Sequence, residues 1–553
     1  MIECFPVTER IKAYREQQLE IANWLEAGIN EGKTKFIICA PTGSGKSAVS
    51  KMVGNYFAKL GKTTLITSPL NTLVDQYEEY TTDKNGKPLV TLKGKSNYVC
   101  KARYELRGGV LENCDNGFCA GKICSMDYDA GRKVVYKKRN CKECVQECPC
   151  KECNYKAVMR AFKTSDIGNT NFTLLQMGVV NGQESGPDCL IVDEADYIEP
   201  FIRMFRTVTI PEYWDFDWDA QLACLDDLAE NLEYELNHIN ISPDNIRRKK
   251  YLESQVYKIR ALLNDFTVHQ EKWIVKHNNE KSTTYEPVSI NRFIEDALKT
   301  DERTVILMSA TPEKLDGWEF LEVKSPFPAD IRPIKHIPVG SMSLKNRAET
   351  IPKLAEFLRN GYLKWLMPGK TIVHVPSYAV AFGLYQEVVI QSRGLVVPIV
   401  QTRECSEDSV DGATLRKDVI EKFKNSSEPW QILIAVNMGR GIDLPEIGIK
   451  NNIITFLKRP NPTDPLVKAK MRYLGGDWSF TECGNDLMQQ YGRINRNNDK
   501  ITNTIITEPE FEKFMRLHDN KLREWFKEAI VEGEKKDANN RRNCVRGPWN
   551  RNR

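Results

Sequence analysis

The sequence predicts an α/β chain built on two parallel-sheet domains, and three observations carry that prediction. A short apolar run, Phe36-Ile37-Ile38-Cys39, feeds a Gly-rich turn and then a helix-compatible stretch, Ala48-Val49-Ser50-Lys51-Met52-Val53. A second apolar run, Leu190-Ile191-Val192, ends in the acid pair Asp193-Glu194. Far downstream, Lys370–Val375 and Gln431–Val436 repeat the strand pattern and precede an arginine-bearing segment at 489–496. Short continuous apolar runs bounded by polar turns suit strands buried on both faces, as in parallel sheets covered by helices. A chain of 553 residues also exceeds one core, and roughly two to four domains are expected.

The first turn reads Ala40-Pro41-Thr42-Gly43-Ser44-Gly45-Lys46-Ser47. Strand, glycine-rich turn and helix form the setting of a phosphate loop, in which backbone N–H groups and a helix N-terminus cradle phosphate oxygens. Thr42, Gly43, Ser44, Gly45, Lys46 and Ser47 are therefore candidate ATP-binding residues, with Lys46 reaching the β/γ-phosphates and Ser47 holding Mg²⁺. The acid pair adds what such a loop lacks. Asp193 at a strand's carboxyl end can hold the Mg²⁺ shell, and Glu194 can orient or deprotonate the attacking water. Gln18 lies about one helix upstream, where its paired donor and acceptor can read an adenine edge.

In the second half, the run Gln431–Val436 leads to Gly439-Arg440-Gly441-Ile442-Asp443, which places Asp443 among the candidate ATP-binding residues. The segment Gln489-Gln490-Tyr491-Gly492-Arg493-Ile494-Asn495-Arg496 follows. Arg493 and Arg496 are three apart and share a face on a helix. Two guanidiniums on one face can act on one γ-phosphate, so Gln489, Arg493 and Arg496 join Lys46, Asp193 and Glu194 as candidate catalytic residues.

Composition narrows the class. Hydrophobic content of 41% and charged content of 28% fit a globular protein, and no apolar run is long enough to span a bilayer. The start, Met1-Ile2-Glu3-Cys4-Phe5, lacks a basic region followed by an apolar stretch, so a cytoplasmic or other intracellular, non-secreted protein is expected. Reduced thiols are then the rule, and nine of the sixteen cysteines fall between Cys100 and Cys153. Clustered reduced thiols read as metal ligands before disulfides. Four thiolates suffice for one [4Fe–4S] cluster or one Zn²⁺. No histidine falls in this stretch, which excludes a Cys/His zinc finger there. The net charge of +4 is too small to establish nucleic-acid binding, which would depend on local basic patches such as the tail Asn539–Arg553.

Taken in order, these motifs resemble those of superfamily 2 helicases. Thr67-Ser68-Pro69-Leu70-Asn71-Thr72-Leu73-Val74-Asp75-Gln76 resembles the motif with which they touch a strand backbone, and Ser309-Ala310-Thr311 a further motif. Leu92–Cys100, Asn171-Phe172-Thr173-Leu174-Leu175, Ser325-Pro326-Phe327 and Pro460–Leu466 narrow the resemblance to the XPD/DinG iron–sulfur helicases, over about residues 10–500. Asp196 and Phe172 stand where that family has histidine.

The resemblance implies two RecA-like motor domains and ATP-dependent unwinding of duplex DNA, with 5′ to 3′ translocation on a single strand. It also implies an iron–sulfur insert and binding of single-stranded and forked DNA, and likens the helical stretch between the acid pair and Ser309 to the family's arch. A monomer with no membrane partner is expected. It makes Cys100 the first iron ligand and Cys153 the last, and the spacing of Cys144, Cys148 and Cys153 is close to the family's trio. The rival set, Cys141 and Cys144 with Cys150 and Cys153, is a zinc-like double pair, and the matching rival function is an RNA helicase or duplex translocase with a zinc-bound insert. A nucleic-acid clamp that hydrolyses little ATP is a third reading, against which the full set of acidic and arginine motifs argues.

The expected partition is a first motor domain in three parts, 1–94, 160–200 and 300–335. It is interrupted by a cysteine-rich insert at 95–159 and a helical insert at 201–299, where apolar residues such as Leu228, Leu232 and Leu236 recur at helical spacing. The second motor domain spans 336–535, and a basic tail spans 536–553.

Overall fold

The computed structural model of the chain describes residues 1–84, 86–98, 135–137, 145–147, 154–181, 186–211, 221–239, 246–269, 272–278, 282–364, 366–394, 396–401, 410–428, 430–436, 448–494 and 501–531. The first strands are β1 (Lys35–Cys39), β2 (Thr64–Ser68) and β3 (Leu89–Thr91), and a two-stranded antiparallel ribbon, β4 (Val135–Lys137) and β5 (Val145–Glu147), follows. The chain continues through β6 (Ile167–Asn171), β7 (Cys189–Asp193), β8 (Val208–Pro211), β9 (Trp273–Asn278), β10 (Ser282–Pro287), β11 (Thr304–Ser309) and β12 (Glu319–Glu322).

Among the described residues a seven-stranded parallel sheet runs β12-β1-β11-β7-β2-β6-β3. Strand β11 lies between β1 and β7, and the register sets Cys39 beside Ser309 and Met308 beside Asp193. Three strands far apart in sequence thus deliver the phosphate loop, the Ser309-Ala310-Thr311 turn and the acid pair to one edge. Alternate side chains supply two cores, as the pleat requires. Ile37, Leu190, Val192, Val305 and Leu307 face one, while Phe36, Ile38, Ile191, Ile306 and Met308 face the other with Val49, Met52 and Val53 of the helix Lys46–Lys59.

A second sheet, six-stranded and parallel, is built from β13 (Ile334–His336), β14 (Lys370–Val375), β15 (Val397–Val400), β16 (Gln431–Val436), β17 (Ile449–Ile454) and β18 (Asn503–Ile506). Its order is β13-β18-β17-β14-β16-β15. The α/β architecture with two parallel sheets agrees with the fold class read from the sequence. Residues 323–333 carry the chain from β12 to β13.

Between β7 and β11, the helices Gln221–His238 and Ile246–His269 lie antiparallel, with Leu225, Leu228 and Leu232 buried opposite Leu252, Ile259 and Leu262. Helical periodicity foretold this pair. It did not foretell the antiparallel sheet β8-β10-β9 beside it. The signal there has period two: along β10, Thr283 and Tyr285 are buried while Ser282, Thr284 and Glu286 are partly exposed. A reading tuned to helical spacing passes over so short an alternation.

Candidate nucleotide site between two sheets

The turn after β1 has the shape that binding a phosphate demands. Gly43 and Gly45 adopt φ of 81° and 84°, a left-handed conformation that costs any residue with a Cβ. Gly45 caps the helix Lys46–Lys59, and a Cβ there would stand 2.3 Å from Gln18 Nε2. Gln18 is held on both sides: its Nε2 donates to Gly45 O at 3.2 Å and its Oε1 accepts from Arg15 N at 2.8 Å. The Arg15 guanidinium donates to Gly43 O. Lys46 Nζ donates to Ala40 O at 3.4 Å. The buried Ser44 hydroxyl has no hydrogen-bond partner among the described residues. A cavity of about 930 Å³ opens here, with Arg15, Gln18, Lys46, Ser47, Asp193 and Glu194 in its wall.

Asp193 ends β7 almost fully buried. One carboxylate oxygen accepts from the Tyr77 hydroxyl at 2.8 Å and the other from Glu194 N at 3.0 Å, while Tyr77 also shares a 3.1 Å hydrogen bond with Ser50. Burial first, and the Glu194 charge second, push the Asp193 carboxyl up to about 6, with Lys46 and the Tyr77 bond pulling the other way. A buried carboxylate penalised in this way gains most from a cation. That carboxylate, the orphaned Ser44 hydroxyl and the N-terminus of a 14-residue helix together fit a magnesium–nucleotide complex. Glu194 follows at φ 51°, left-handed although it is not glycine, a strain that clusters where a side chain must be aimed.

The second domain reaches this site through a chain of hydrogen bonds. Ser309 Oγ donates to Asp196 at 2.7 Å and accepts from Thr311 N at 3.2 Å, and Gln489 Nε2 donates to Thr311 Oγ1 at 3.0 Å. Gln489 lies on the buried face of the helix Trp478–Tyr491. At the end of that helix, a Cβ on Gly492 would meet Thr42 Oγ1 at 2.5 Å, so only glycine lets the helix lie against the phosphate loop. Arg493 is buried in the second domain, where its charge adds to burial in pulling His374 of β14 down to about 4. Ion pairs Lys470–Glu199 (2.5 Å) and Arg523–Glu322 (3.1 Å) also join the two halves.

The structure therefore brings together Gln18, Thr42, Gly43, Ser44, Gly45, Lys46, Ser47, Asp193 and Glu194, with Gln489 one hydrogen bond from the Ser309-Ala310-Thr311 turn. The described residues lining the cavity all belong to the first domain, and Arg493 is not among them. Asp443, Arg496 and the four cysteines Cys100, Cys144, Cys148 and Cys153 lie outside the described residues, as does the tail 536–553. Among the described residues no group of three or more His, Cys, Asp or Glu could hold a metal, and no helix is long and apolar enough to cross a membrane. Sequence reasoning missed Tyr77 and Arg15 as parts of the site. Tyr77 directly follows the Thr67–Gln76 motif, but nothing in its spacing points at a carboxylate 116 residues away.

Comparison with known proteins defines the class. Residues 363–529 match the helicase C-terminal domain, and no curated protein matches. A solved XPD helicase aligns with a TM-score of 0.55 at 15% identity, covering 94% of this chain and 98% of its own. Xpd4 of S. tokodaii aligns with a TM-score of 0.50 at 14% identity, covering 94% of this chain and 100% of its own. An apo XPD structure gives 0.50 at 14%, over 92% and 98%. The chain has a two-domain helicase fold. More particularly, it has the fold of the XPD helicases along nearly its whole length, in agreement with the resemblance carried by its motifs.

Proposed function

We propose that the chain is an ATP-driven DNA helicase that translocates 5′ to 3′ on single-stranded DNA and opens forked duplex. The observation that carries the reading is the joint between the two sheets. The phosphate loop of one, at Thr42, lies against Gly492 at the end of the Gln489-bearing helix of the other, and Gln489 donates to Thr311 in the Ser309-Ala310-Thr311 turn beside that loop. A hydrolytic site shared by two bodies can convert nucleotide turnover into their relative motion.

In this reading Lys46 meets the β/γ-phosphates of ATP, Gln18 meets the base, and Glu194 takes the proton of the attacking water. Ser47 and Asp193 would hold Mg²⁺, which when bound neutralises charge on the phosphoryl group in transfer. Gln489, Arg493, Arg496 and Asp443 complete the site from the second domain. The domain partition is the one set out from the sequence, with a [4Fe–4S] cluster on Cys100, Cys144, Cys148 and Cys153 and a monomer as the working unit. Cluster, polarity and DNA preference rest on the family resemblance and the thiol spacing.

An unwinding assay with DNA and RNA forks of both polarities tests this. Opening of DNA forks with a 5′ single-stranded tail is expected. Opening only RNA forks, or hydrolysing ATP without opening any, would replace the reading. The cluster has its own test. Cys153→Ser should lose iron and absorbance near ~400 nm, and unwinding with it, while hydrolysis falls less because the phosphate loop contains no thiolate. Full iron in Cys153→Ser, or stoichiometric zinc in a colourless wild type, would overturn the ligand set.

A further inference from the structure

The segment that crosses from the first sheet to the second holds a buried arginine that belongs to none of the motifs. Arg332 is 3% exposed. Its Nε donates to Phe327 O at 2.9 Å, its Nη1 to the Tyr491 hydroxyl at 2.9 Å and to the Trp525 carbonyl, and its Nη2 lies 3.8 Å from Glu528. The Tyr491 hydroxyl returns a bond to the Arg332 carbonyl at 2.9 Å. Tyr491 is itself pinned, stacked on Trp525 at 6.0 Å and edge-on to Phe526 at 5.1 Å. A planar guanidinium with its donors engaged in several directions holds one orientation, which a lysine cannot copy.

Phe327 has a second partner on the other side. The Arg15 guanidinium lies 5.5 Å from its ring centroid and donates to Gly43 O in the phosphate loop. Contacts therefore run from Gly43 through Arg15, Phe327 and Arg332 to Tyr491, two residues before Arg493. Arg15 also lines the cavity, so the phosphates of a nucleotide entering it compete for that cation.

We propose that Arg332 is a positioning residue: with Tyr491 it makes the orientation of the helix that carries Gln489 and leads to Arg493 follow the occupancy of the phosphate loop. The inference rests on the nucleotide reading of that loop and adds the route by which the second sheet senses it. A contact chain is a route only if its members couple, and the test measures that coupling.

Hydrogen exchange of the full chain is followed with and without a non-hydrolysable ATP analogue, in wild type, Arg332→Lys and Tyr491→Phe. Tyr491→Phe removes one hydroxyl and keeps the ring, which guards against loss of the fold. In wild type the analogue should protect residues 40–50 and also change exchange at 486–494. In both variants the first response should persist and the second shrink. Steady-state kinetics should show KM for ATP held and kcat lowered by about three- to tenfold, the scale of one lost hydrogen bond. The double variant should fall no further than the worse single, since both act on one contact. Variants whose 486–494 response matches wild type overturn the proposal, as does a parallel loss of both responses, which marks a merely structural arginine. A wild type that protects 40–50 but leaves 486–494 unchanged overturns this proposal alone. A wild type that protects neither overturns the nucleotide reading beneath it.

Discussion

At Glu194 the backbone is left-handed and at Asp193 a carboxylate is buried against a tyrosine hydroxyl, so neighbouring acids in sequence have different environments. That difference separates holding a cation from handling a water. Glu194→Gln should bind ATP and hydrolyse it about 10²–10⁴-fold more slowly, the usual contribution of a general base. Lys46→Ala should abolish turnover. Nucleotide binding beside steady-state ATPase decides both, and near-normal turnover in either would remove that residue from the mechanism. His374 offers a test by pH. Burial first, and Arg493 second, depress its folded value to about 4 from 6.5. Between these values the unfolded chain takes up a proton that the folded one refuses. The stability contributed is complete above pH 6.5 and is lost as pH falls toward and through 4, amounting to about 3 kcal/mol at most. In chemical denaturation the wild type should therefore lose stability relative to His374→Gln between pH 7 and pH 4. An equal gap at both pH values would contradict the assignment.

The strands were the most legible elements. Phe36–Cys39, Leu190–Val192, Lys370–Val375 and Gln431–Val436 read as buried parallel strands, and each falls within a parallel strand of the structure. Continuous apolar runs between polar turns leave few other solutions. The turn after Cys39 stood out by its chemistry, because a Gly-rich turn with Lys and Ser has a physical reason to bind phosphate. The joints between elements were not legible. Tyr77 bonding to Asp193, Arg15 to Gly43 and Gln489 to Thr311 are meetings of residues whose separation along the chain carries no periodicity. Gly492 shows the same limit: nothing in the 489–496 segment marks it, whereas in the fold it is the point where helix and phosphate loop touch. Gly492→Ala has no backbone reason to fail, since its φ is −66°. Its methyl group should cost about 1–3 kcal/mol of overpacking, felt only where the halves meet. ATPase should fall by about ten- to a hundredfold with the melting temperature little changed. A variant with wild-type hydrolysis would show that the helix and the loop need not touch during turnover.

For the whole molecule, two parallel-sheet domains are readable from the strand runs and their motifs, and the solved XPD structures agree with that fold. The small sheet β8-β10-β9 was hidden by its brevity, and the path of the thiols lies outside the described residues. In the proposed mechanism one hydrolytic site is completed across two sheets, so that nucleic acid spanning both should favour the completed state. Steady-state ATPase with and without single-stranded DNA tests this most directly, in wild type and in Arg493→Ala and Arg496→Ala. Wild-type hydrolysis should rise on adding DNA. Each arginine variant should still bind ATP but lose the rise, with a rate deficit toward the low end of the roughly 10³–10⁵ range for such arginines. A wild-type rate indifferent to DNA, or arginine variants stimulated as fully as wild type, would rule out completion of the site across the two sheets.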